Sequence, residues 1–331
     1  MKITMTILLL ALASYNSHAQ YAPQAGLPGS TAMYKDSSAF IDWASNCLIQ
    51  RGWLHITDTT LGKTTAGDAT NAFGKADGNI VSLGDAGEAL FFFENPIING
   101  PGFDFAIFEN GFLSPFDSNL AYLELAQVEV SNDGFTFFTF PPICENDTTI
   151  QIGGAGDYMD AQHIHNLAGK YIANYGTPFE LSELSTQSGL DINDIHYIKV
   201  KDIIGSLDEN TCVRDANSHT INDPYPTPFP TGGFDLDAIG IIHQKFPTGF
   251  SNATIDNTNL FYPNPTNGIL HCKNWKAIDE IALYSLEGKV LIRQSGPADD
   301  VNLTSLPKGQ YALSLRFKNG QQHHQLISKY E

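Results

Sequence analysis

Basic side chains are scarce in this sequence. Its 331 residues include 18 Lys and Arg against 36 Asp and Glu, which gives a formal net charge of −18 at pH 7. The imbalance lies in one part of the chain, because residues 20–259 hold 9 basic and 30 acidic side chains, whereas residues 260–331 hold 8 and 6. Such an acidic surface repels nucleic acid and anionic membranes, so we expect neither as a partner.

Cysteine is also rare and widely spaced. The four cysteines, Cys47, Cys144, Cys212 and Cys272, form no Cys-x-x-Cys pair, which argues against a zinc site. In an oxidising compartment they allow one or two disulfides, and the sequence alone leaves the connectivity open. The polar surroundings of Cys144 and Cys212 favour that pair.

Several motifs of membrane proteins and enzymes are missing. No apolar run after residue 19 is long enough to span a bilayer, so we expect no transmembrane segment. No Gly-x-Ser-x-Gly turn presents a serine nucleophile. The glycines of residues 153–156 are not followed by the Lys-Ser/Thr of a phosphate-binding loop. These absences favour a binding protein over an enzyme.

The first residues have the pattern of a signal peptide. Lys2 gives a short basic start, residues 7–13 are apolar, and Ser17-His18-Ala19 is a small-x-small cleavage site before Gln20. We therefore expect residues 1–19 to be removed and the mature chain to be exported.

Short β-rich runs separated by Gly, Asn, Asp and Pro dominate the acidic part of the chain. The predicted strands cover residues 80–84, 89–93, 103–108, 123–131, 136–140, 195–201 and 234–242. Asn132-Asp133-Gly134 indicates a hairpin between two of them, and helical spacing of Phe40, Trp43, Ala44 and Cys47 predicts one helix around residues 38–50. This texture favours an all-β fold, with a jelly-roll-like β-sandwich over residues 20–245.

Acidic side chains recur along two of the predicted strands. The candidates are Asp104, Glu109, Asn110, Asp235 and Asp237. If the two strands are neighbours, the oxygens converge at one edge of a sheet, and hard oxygen ligands suit calcium better than zinc. The sequence therefore predicts a calcium site here. The alternative is that these side chains accept hydrogen bonds from backbone amides in turns and need no metal.

Two long polar loops, residues 153–189 and 207–233, lead into strands and are expected to cover the same end of the sandwich. Aromatic rings in such loops form binding platforms for sugars and other flat ligands. The candidate platform residues are Phe112, Phe116, Tyr158, Tyr171, Tyr175 and Tyr225. For each ring the alternative is an anchor packed under the edge of the sandwich.

The C-terminal part of the chain differs in character from the acidic body. Residues 246–259 are rich in Ser, Thr and Asn, which predicts a linker. Residues 260–331 then alternate short strands and turns, as expected for a small Ig-like β-sandwich. Its landmarks are Tyr262-Pro263-Asn264-Pro265 with Gly268, Leu283-Tyr284 with Gly288-Lys289, residues 303–306, and Gly309-Gln310-Tyr311.

Through these landmarks the module resembles the type A C-terminal sorting domain of the type IX secretion system of Bacteroidota. The resemblance implies recognition by the type IX machinery, passage through the periplasm and outer membrane, removal of the tail, and a cell-surface or secreted location. The body is similar to a group of bacterial cell-surface proteins through residues 104–111, 126–134, 167–171, 175–184 and 234–240. That resemblance implies a jelly-roll binding module and points to no particular reaction.

We therefore expect an exported, calcium-stabilised protein that captures a ligand outside the cell. A glycan would suit the aromatic loops, and a scarce nutrient delivered to an outer-membrane transporter would suit the location. One alternative is a secreted glycoside hydrolase with two carboxylates drawn from Glu109, Glu124, Glu129, Asp235 and Asp237. Another is a structural adhesin, which would need no pocket for a small ligand.

Overall fold

The computed structural model of the protein describes residues 21–245, 260–272, 276, 278–286, 288–296, 300–318 and 322–330. The predicted signal peptide, residues 1–19, and the predicted linker, residues 246–259, lie outside these residues.

The body is built almost entirely from strands. In chain order they are β1 (Met33–Tyr34), β2 (Asp42–Trp43), β3 (Leu48–Gln50), β4 (Val81–Ser82), β5 (Glu88–Ile97), β6 (Phe105–Glu109), β7 (Phe112–Leu113), β8 (Leu120–Tyr122), β9 (Ala126–Ser131), β10 (Phe138–Thr139), β11 (Ile143–Cys144), β12 (Met159–Asp160), β13 (Ile164–His165), β14 (Leu167–Ala168), β15 (Tyr175–Phe179), β16 (Ile195–Asp202) and β17 (Asp235–Ile241). Every run predicted to be a strand overlaps one of them.

Two six-stranded antiparallel sheets form the sandwich. One has the order β1-β15-β6-β17-β2, with β4 also paired to β17. The other has the order β10-β9-β16-β5-β3, with β14 also paired to β9. Two small sheets, β11-β13 and β12-β8-β7, lie outside these layers. The architecture confirms the predicted all-β sandwich.

Alternation along the strands builds the core between the two sheets. Phe91 of β5 and Ile198 of β16 are fully buried in one apolar cluster with Ile107 of β6 and Ile239 of β17. Because side chains alternate along a strand, the residues between them face away from this core. The same alternation therefore determines which side chains lie on the outer faces of the two sheets.

The hairpin predicted at Asn132-Asp133-Gly134 is confirmed, since β9 and β10 pair across it. The Ser131 hydroxyl accepts hydrogen bonds from the amides of Asp133 and Gly134 at 3.2 and 2.9 Å. Gly134 has a φ of 72°, and a Cβ there would lie 2.8 Å from the ring of Tyr197. Backbone conformation and close packing both require glycine at this turn.

The helix predicted around residues 38–50 is wrong, because this segment forms β2 and β3 instead. Trp43 pairs with Gly240 at the edge of one sheet, and Leu48 pairs with Leu90 at the edge of the other. Both pairings are long-range, so tertiary contacts override the local helical spacing. The helices in the described residues are short 3₁₀ turns: Thr59–Leu61, Ala69–Ala72, Ala161–His163 and Leu181–Leu184.

The disulfide favoured between Cys144 and Cys212 is absent, and all four cysteines are free. Cys144 is buried in an apolar cluster with Leu167 and Ile221, whereas Cys212 lies in a partly exposed turn after Asp208. Burial raises the pKa of the Cys144 thiol to about 12, which keeps it protonated.

The C-terminal module is a second, smaller sandwich, as predicted. Its strands are β18 (Phe261–Tyr262), β19 (Ile269–Cys272), β20 (Ile278–Ser285), β21 (Val290–Ser295), β22 (Asp300–Asn302), β23 (Gly309–Phe317) and β24 (Gln322–Lys329). The sheets have the orders β18-β19-β22 and β21-β20-β23-β24. Their inner faces share one core that contains Phe261, Leu283 and Leu313.

Candidate functional site

An open cleft of about 490 Å³ lies at one end of the body. The turn after β6, strand β8 and both long predicted loops contribute to its walls, through Asn110, Tyr122, residues 153–155 and residues 226–232. Parts of both predicted loops thus meet at this end of the sandwich, but the prediction of one long loop over residues 153–189 is wrong, because β12, β13, β14 and β15 lie within it. Such a concave space, walled by loops on a rigid sheet scaffold, is the usual form of a ligand site.

Aromatic rings form the rim of the cleft. Phe112 of β7 pairs with Tyr122 of β8, and their rings stack with centroids 5.2 Å apart. Phe112 is 45% exposed and Phe229, on the opposite loop, is 60% exposed. Exposed rings at the mouth of a polar cleft offer flat apolar surfaces on which a ligand ring can stack.

Two carboxylates line the cleft between these rings. Asp235, the first residue of β17, accepts hydrogen bonds from the Ser82 hydroxyl and from Asn110 Nδ2, the latter at 3.0 Å. Glu124 follows β8 and accepts a long hydrogen bond of 3.4 Å from the Tyr122 hydroxyl. Both side chains are more than nine-tenths buried, so the floor of the cleft is acidic but poorly solvated.

Burial and mutual repulsion shift the pKa values of these acids. Burial raises the pKa of Asp235 to about 6. It raises the pKa values of Glu109 and Glu124 well above their usual range, and the negative charge of Asp235 adds to both shifts. At neutral pH these groups must retain protons, bind a cation or remain under electrostatic strain.

Two further carboxylates extend this acidic group behind the cleft. Asp202 accepts hydrogen bonds from the amides of Phe234 and Ala86 at 2.7 and 3.1 Å. Asp223 accepts one from the amide of Leu125 at 3.1 Å. Burial raises the pKa values of both carboxyls, and Asp202 and Asp223 also repel each other. Glu109, Glu124, Asp202, Asp223 and Asp235 are called the acidic floor below.

Compensating positive charge is limited at the acidic floor. Arg51 interacts electrostatically with Asp235. Its Nη1, however, donates to the carbonyls of Ala66 and Ser82 at 2.7 and 2.6 Å. The guanidinium therefore offsets part of the charge of Asp235. Among the described residues, the interactions that shift the pKa values of the other four acids include no Lys or Arg.

Three of the five predicted calcium ligands come together. Asn110 bonds to Asp235, and Glu109 interacts with Asp235 electrostatically. Glu109 Oε2 also accepts the amide of Gly111 at 2.7 Å. Within the residues that the structure describes, no group of three or more His, Cys, Asp or Glu side chains is arranged to hold a metal ion. Calcium binding thus stays a prediction.

The other two predicted ligands make separate contacts. Asp104 lies at the opposite end of β6 from Glu109, where its carboxylate accepts the amides of Gly100 and Leu181, both at 2.7 Å. It also contacts His243 Nδ1 at 2.9 Å. Asp104 therefore joins three segments of the chain without a metal.

Asp237 is displaced from Asp235 by a β-bulge. Leu236 of β17 faces Glu109 of β6, but Ala238 faces Phe108, so Asp237 is an extra residue in its strand. Its carboxylate accepts the amides of Asp77 and Gly78 at 3.1 and 3.2 Å. The simple alternation expected along this strand fails at the bulge, and the two aspartates hold different loops.

Only Phe112 of the six predicted platform residues lines the cleft. Phe116 is 91% exposed on the loop after β7, and Tyr158 follows the residues that close one wall. Tyr171 is buried and its hydroxyl bonds to Thr31 Oγ1 at 2.8 Å. Tyr175 packs against Tyr34, and Tyr225, beside the cleft residue Pro226, packs against His55. Their binding roles stay predictions.

Sequence reasoning missed Tyr122 and Phe229 as cleft residues, and it named Glu124 only as one of several candidate hydrolase acids. Phe229 lies in the proline-rich stretch from Pro224 to Pro230, so its loop position was a usable signal. Tyr122 and Glu124 sit in a run that reads as an ordinary half-buried strand, and only the fold shows that this run borders the cleft.

Comparison with known protein families identifies the C-terminal module. Residues 260–329 match the family described as the secretion system C-terminal sorting domain. The small sandwich is therefore the sorting domain of a type IX secretion substrate, which interacts with that machinery and directs the protein to the cell surface or the medium. The match covers the tail alone, and neither a curated protein nor a solved structure matches the chain.

The helices in the described residues do not include one long and apolar enough to cross a membrane.

Proposed function

We propose that the body captures a ligand outside the cell in the cleft between Phe112 and Phe229, after export directed by the sorting domain. The observation that carries this proposal is the pairing of an exposed aromatic rim with a buried acidic floor in one open space. A structural adhesin would need no such cleft. We propose that the protein comes from a bacterium of the Bacteroidota.

A glycan is the ligand class that best fits the rim. Sugar rings stack on aromatic faces through their apolar C–H surfaces, while their hydroxyls bond to polar groups at the sides. Here Asn110, Thr227 and Thr231 supply polar side chains along the same cleft. The alternative ligand is a small nutrient that the protein passes on to an outer-membrane transporter. A screen of glycans does not test this alternative.

The test is calorimetric titration of the full-length chain with a panel of soluble oligosaccharides. We expect Phe112→Ala and Phe229→Ala each to weaken binding about tenfold or more, the loss typical of a stacked ring. Phe116→Ala is the matched control, because Phe116 is exposed on the neighbouring loop but does not line the cleft. Equal losses in all three variants, or no binding by the parent chain, would contradict glycan capture.

We also propose that calcium stabilises the acidic floor. Carboxylate oxygens are the preferred ligands of Ca²⁺, and a divalent cation would offset the burial of charge that raises the pKa values of Glu109 and Glu124 and the repulsion by Asp235 that adds to it. The side chains would have to converge on the ion. The groups that could do so are Glu109, Asn110, Glu124 and Asp235.

Thermal unfolding with calcium or with a chelator tests this second proposal. A metal at a hundredfold excess over its Kd adds about 2.7 kcal/mol to the stability of the folded state. We expect Asp235→Asn to abolish the response and Asp237→Asn, whose carboxylate holds a separate loop, to retain it. An unchanged midpoint in the parent chain would remove calcium from the proposal and leave ligand capture in place.

A glycoside hydrolase is the second candidate function, because Glu124 and Asp235 face the same cleft. A raised pKa is what a general acid needs, and a second carboxylate could act as base or nucleophile. If the protein cleaves a glycan that it binds, Glu124→Gln should lower the rate by at least a hundredfold, as is typical for a general acid, while binding persists. Absence of reducing ends from every bound glycan would limit the function to capture.

For residues 1–19 we propose removal as a signal peptide before the type IX step. N-terminal sequencing of the exported protein should then begin at Gln20. A different first residue would move or overturn the cleavage site.

A further inference from the structure

The sorting domain is in contact with the body through the outer faces of two sheets. On the body, Phe92 of β5 and Tyr197 of β16 point away from the core of the sandwich, since Phe91 and Ile198 point into it. On the sorting domain, β20 and β23 turn alternate residues toward the body. The buried members of this contact are Leu48 from the body and Ala282, Tyr284 and Ala312 from the sorting domain.

His324 of β24 lies at the centre of this contact. Its ring stacks on Phe92 with centroids 4.9 Å apart and meets the ring of Tyr197 edge-on at 5.2 Å. The Tyr197 hydroxyl lies 3.2 Å from His324 Nε2 and 3.1 Å from Ser314 Oγ. One body side chain thus bonds to two strands of the sorting domain.

The two faces fit closely, and charged side chains of both signs border the contact: Asp133, Glu280 and Arg316 at one gap, Glu88 and Lys199 at the other. The gaps between them have volumes of about 10 and 80 Å³. Small side chains at Ala282, Ala312 and Ser314 allow the sheets to approach, and the guanidinium of Arg293 stacks over Phe135 at 3.7 Å. A face that only met solvent would not need this complementarity of small residues against aromatic rings.

Protonation of His324 would disrupt the contact between the sorting domain and the body. Its Nδ1 is buried and has no hydrogen-bond partner among the described residues, so a second proton would have no acceptor there. Burial, with His196 and His323 nearby, lowers the pKa of His324 to about 3. Glu94 of the body faces His323, and Arg316 on β23 is paired with Asp279 and Glu280. None of these acids bonds to His324.

We propose that the outer face of the β21-β20-β23-β24 sheet is a docking surface for the chain's own body. The sorting domain is docked on the body through this face at neutral pH, and protonation of His324 releases it. In the docked state, the export machinery has access to the β18-β19-β22 sheet of the sorting domain rather than to this face. This inference is independent of the ligand and the metal proposed for the cleft.

The test cuts the connection and asks whether the two parts stay together. A specific protease site placed within residues 246–259 of the full-length chain is cleaved after purification, and size-exclusion chromatography at micromolar concentration follows. We expect the two fragments to co-elute at pH 7.5. Separation of the parent fragments at pH 7.5 would overturn the proposal.

Variants identify the face. Ser314→Arg and Ala312→Arg place a bulky charge in the contact and should each separate the fragments. Ile269→Arg is the matched control, because Ile269 lies on β19 in the other sheet of the sorting domain and is 40% exposed. Both variants must retain the strand content of the parent by circular dichroism. Co-elution of a folded Ser314→Arg or Ala312→Arg protein would show that docking uses another surface.

The pH dependence of fragment association is the second readout. With a pKa of about 3 in the docked state and an ordinary value when undocked, His324 alone should weaken docking about 30-fold between pH 7.5 and pH 5. His324→Phe keeps a ring for the stack on Phe92 and removes the proton site, so its fragments should stay associated at pH 5. Equal association of the parent at both pH values would overturn the role of His324.

Discussion

At the scale of single residues, the acids of this protein divide into two kinds. Asp104 and Asp237 each accept two backbone amides and join segments that are distant in the sequence. The members of the acidic floor share a poorly solvated space and repel each other. The first kind is explained by hydrogen bonding alone, whereas the second stores unfavourable charge that a ligand or ion can relieve.

Replacement of Asp104 tests the first kind. Asp104→Ala removes the acceptor for the amides of Gly100 and Leu181 and for His243, so we expect a loss of about 2–4 kcal/mol in the free energy of unfolding. Chemical denaturation measures it. Asp42→Ala is the control, since this exposed side chain accepts the amide of its neighbour Trp43, and its cost should stay below about 0.5 kcal/mol. Similar values for both would show that the Asp104 bonds contribute little.

The acidic floor predicts a pH dependence. The pKa of Asp235 is raised to about 6 in the folded protein, so the folded state binds the proton more tightly than the unfolded state. Stability must then fall as pH rises from about 4 through 6, and the penalty persists above that window. In chelator, the parent should lose roughly 1 kcal/mol more than Asp235→Asn between pH 5 and pH 7.5.

Denaturant unfolding of both proteins at the two pH values gives this difference. Asp208→Asn is the control, because hydrogen bonds from Asn210 lower the pKa of the exposed Asp208, and its removal should not reduce the loss. A parent and an Asp235→Asn variant with the same pH dependence would mean that Asp235 is ionised at little cost.

At the scale of the elements, turns and bulges decide which side chains meet. The bulge in β17 separates Asp237 from Asp235, and the hairpin at Gly134 brings the β9-β10 turn against Tyr197. Because Tyr197 also contacts the sorting domain, packing of this turn against the Tyr197 ring helps to hold the ring in position for that contact.

Glycine substitutions separate backbone strain from packing at such turns. Gly134 and Gly102 have φ values of 72° and 81°, so alanine is strained at both. At Gly134 a Cβ would also meet the Tyr197 ring at 2.8 Å, whereas at Gly102 it meets nothing within 4 Å. We expect Gly102→Ala to cost about 1 kcal/mol and Gly134→Ala about 2–4 kcal/mol in unfolding free energy. Equal costs would show that the ring moves aside freely.

At the scale of the whole molecule, the chain joins an acidic body to a tail with a small positive charge. The tail identifies the route of export, since residues 260–329 match the sorting domain family. The body carries the cleft and the acidic floor, so the proposed capture and the export signal lie in separate sandwiches.

Deletion of residues 260–331 should therefore leave the body in the periplasm, because the type IX machinery recognises the folded tail. Immunoblots of periplasm, outer membrane and medium from cells that express the full-length or the truncated chain measure the location. The Phe116→Ala chain, which keeps a complete and unaltered tail, should be exported. Truncated protein in the medium would mean that another part of the chain directs export.

The sequence by itself determined the local features of this protein. The all-β class, the Asn132-Asp133-Gly134 hairpin, the acidic body and the sorting tail all follow from patterns within a few neighbouring residues. Such patterns are readable because side-chain alternation and turn chemistry act over short distances along the chain.

Only the tertiary structure decided which distant residues share a site. Asn110, Glu124, Phe229 and Asp235 line one cleft, although more than 100 residues separate the first two from the last two along the chain. The bulge that removed Asp237 from this group, and the pairings that made β2 and β3 from the predicted helix, depend on register with partners about forty to two hundred positions away. Long-range register is set by packing of the whole sandwich, and no local spacing encodes it.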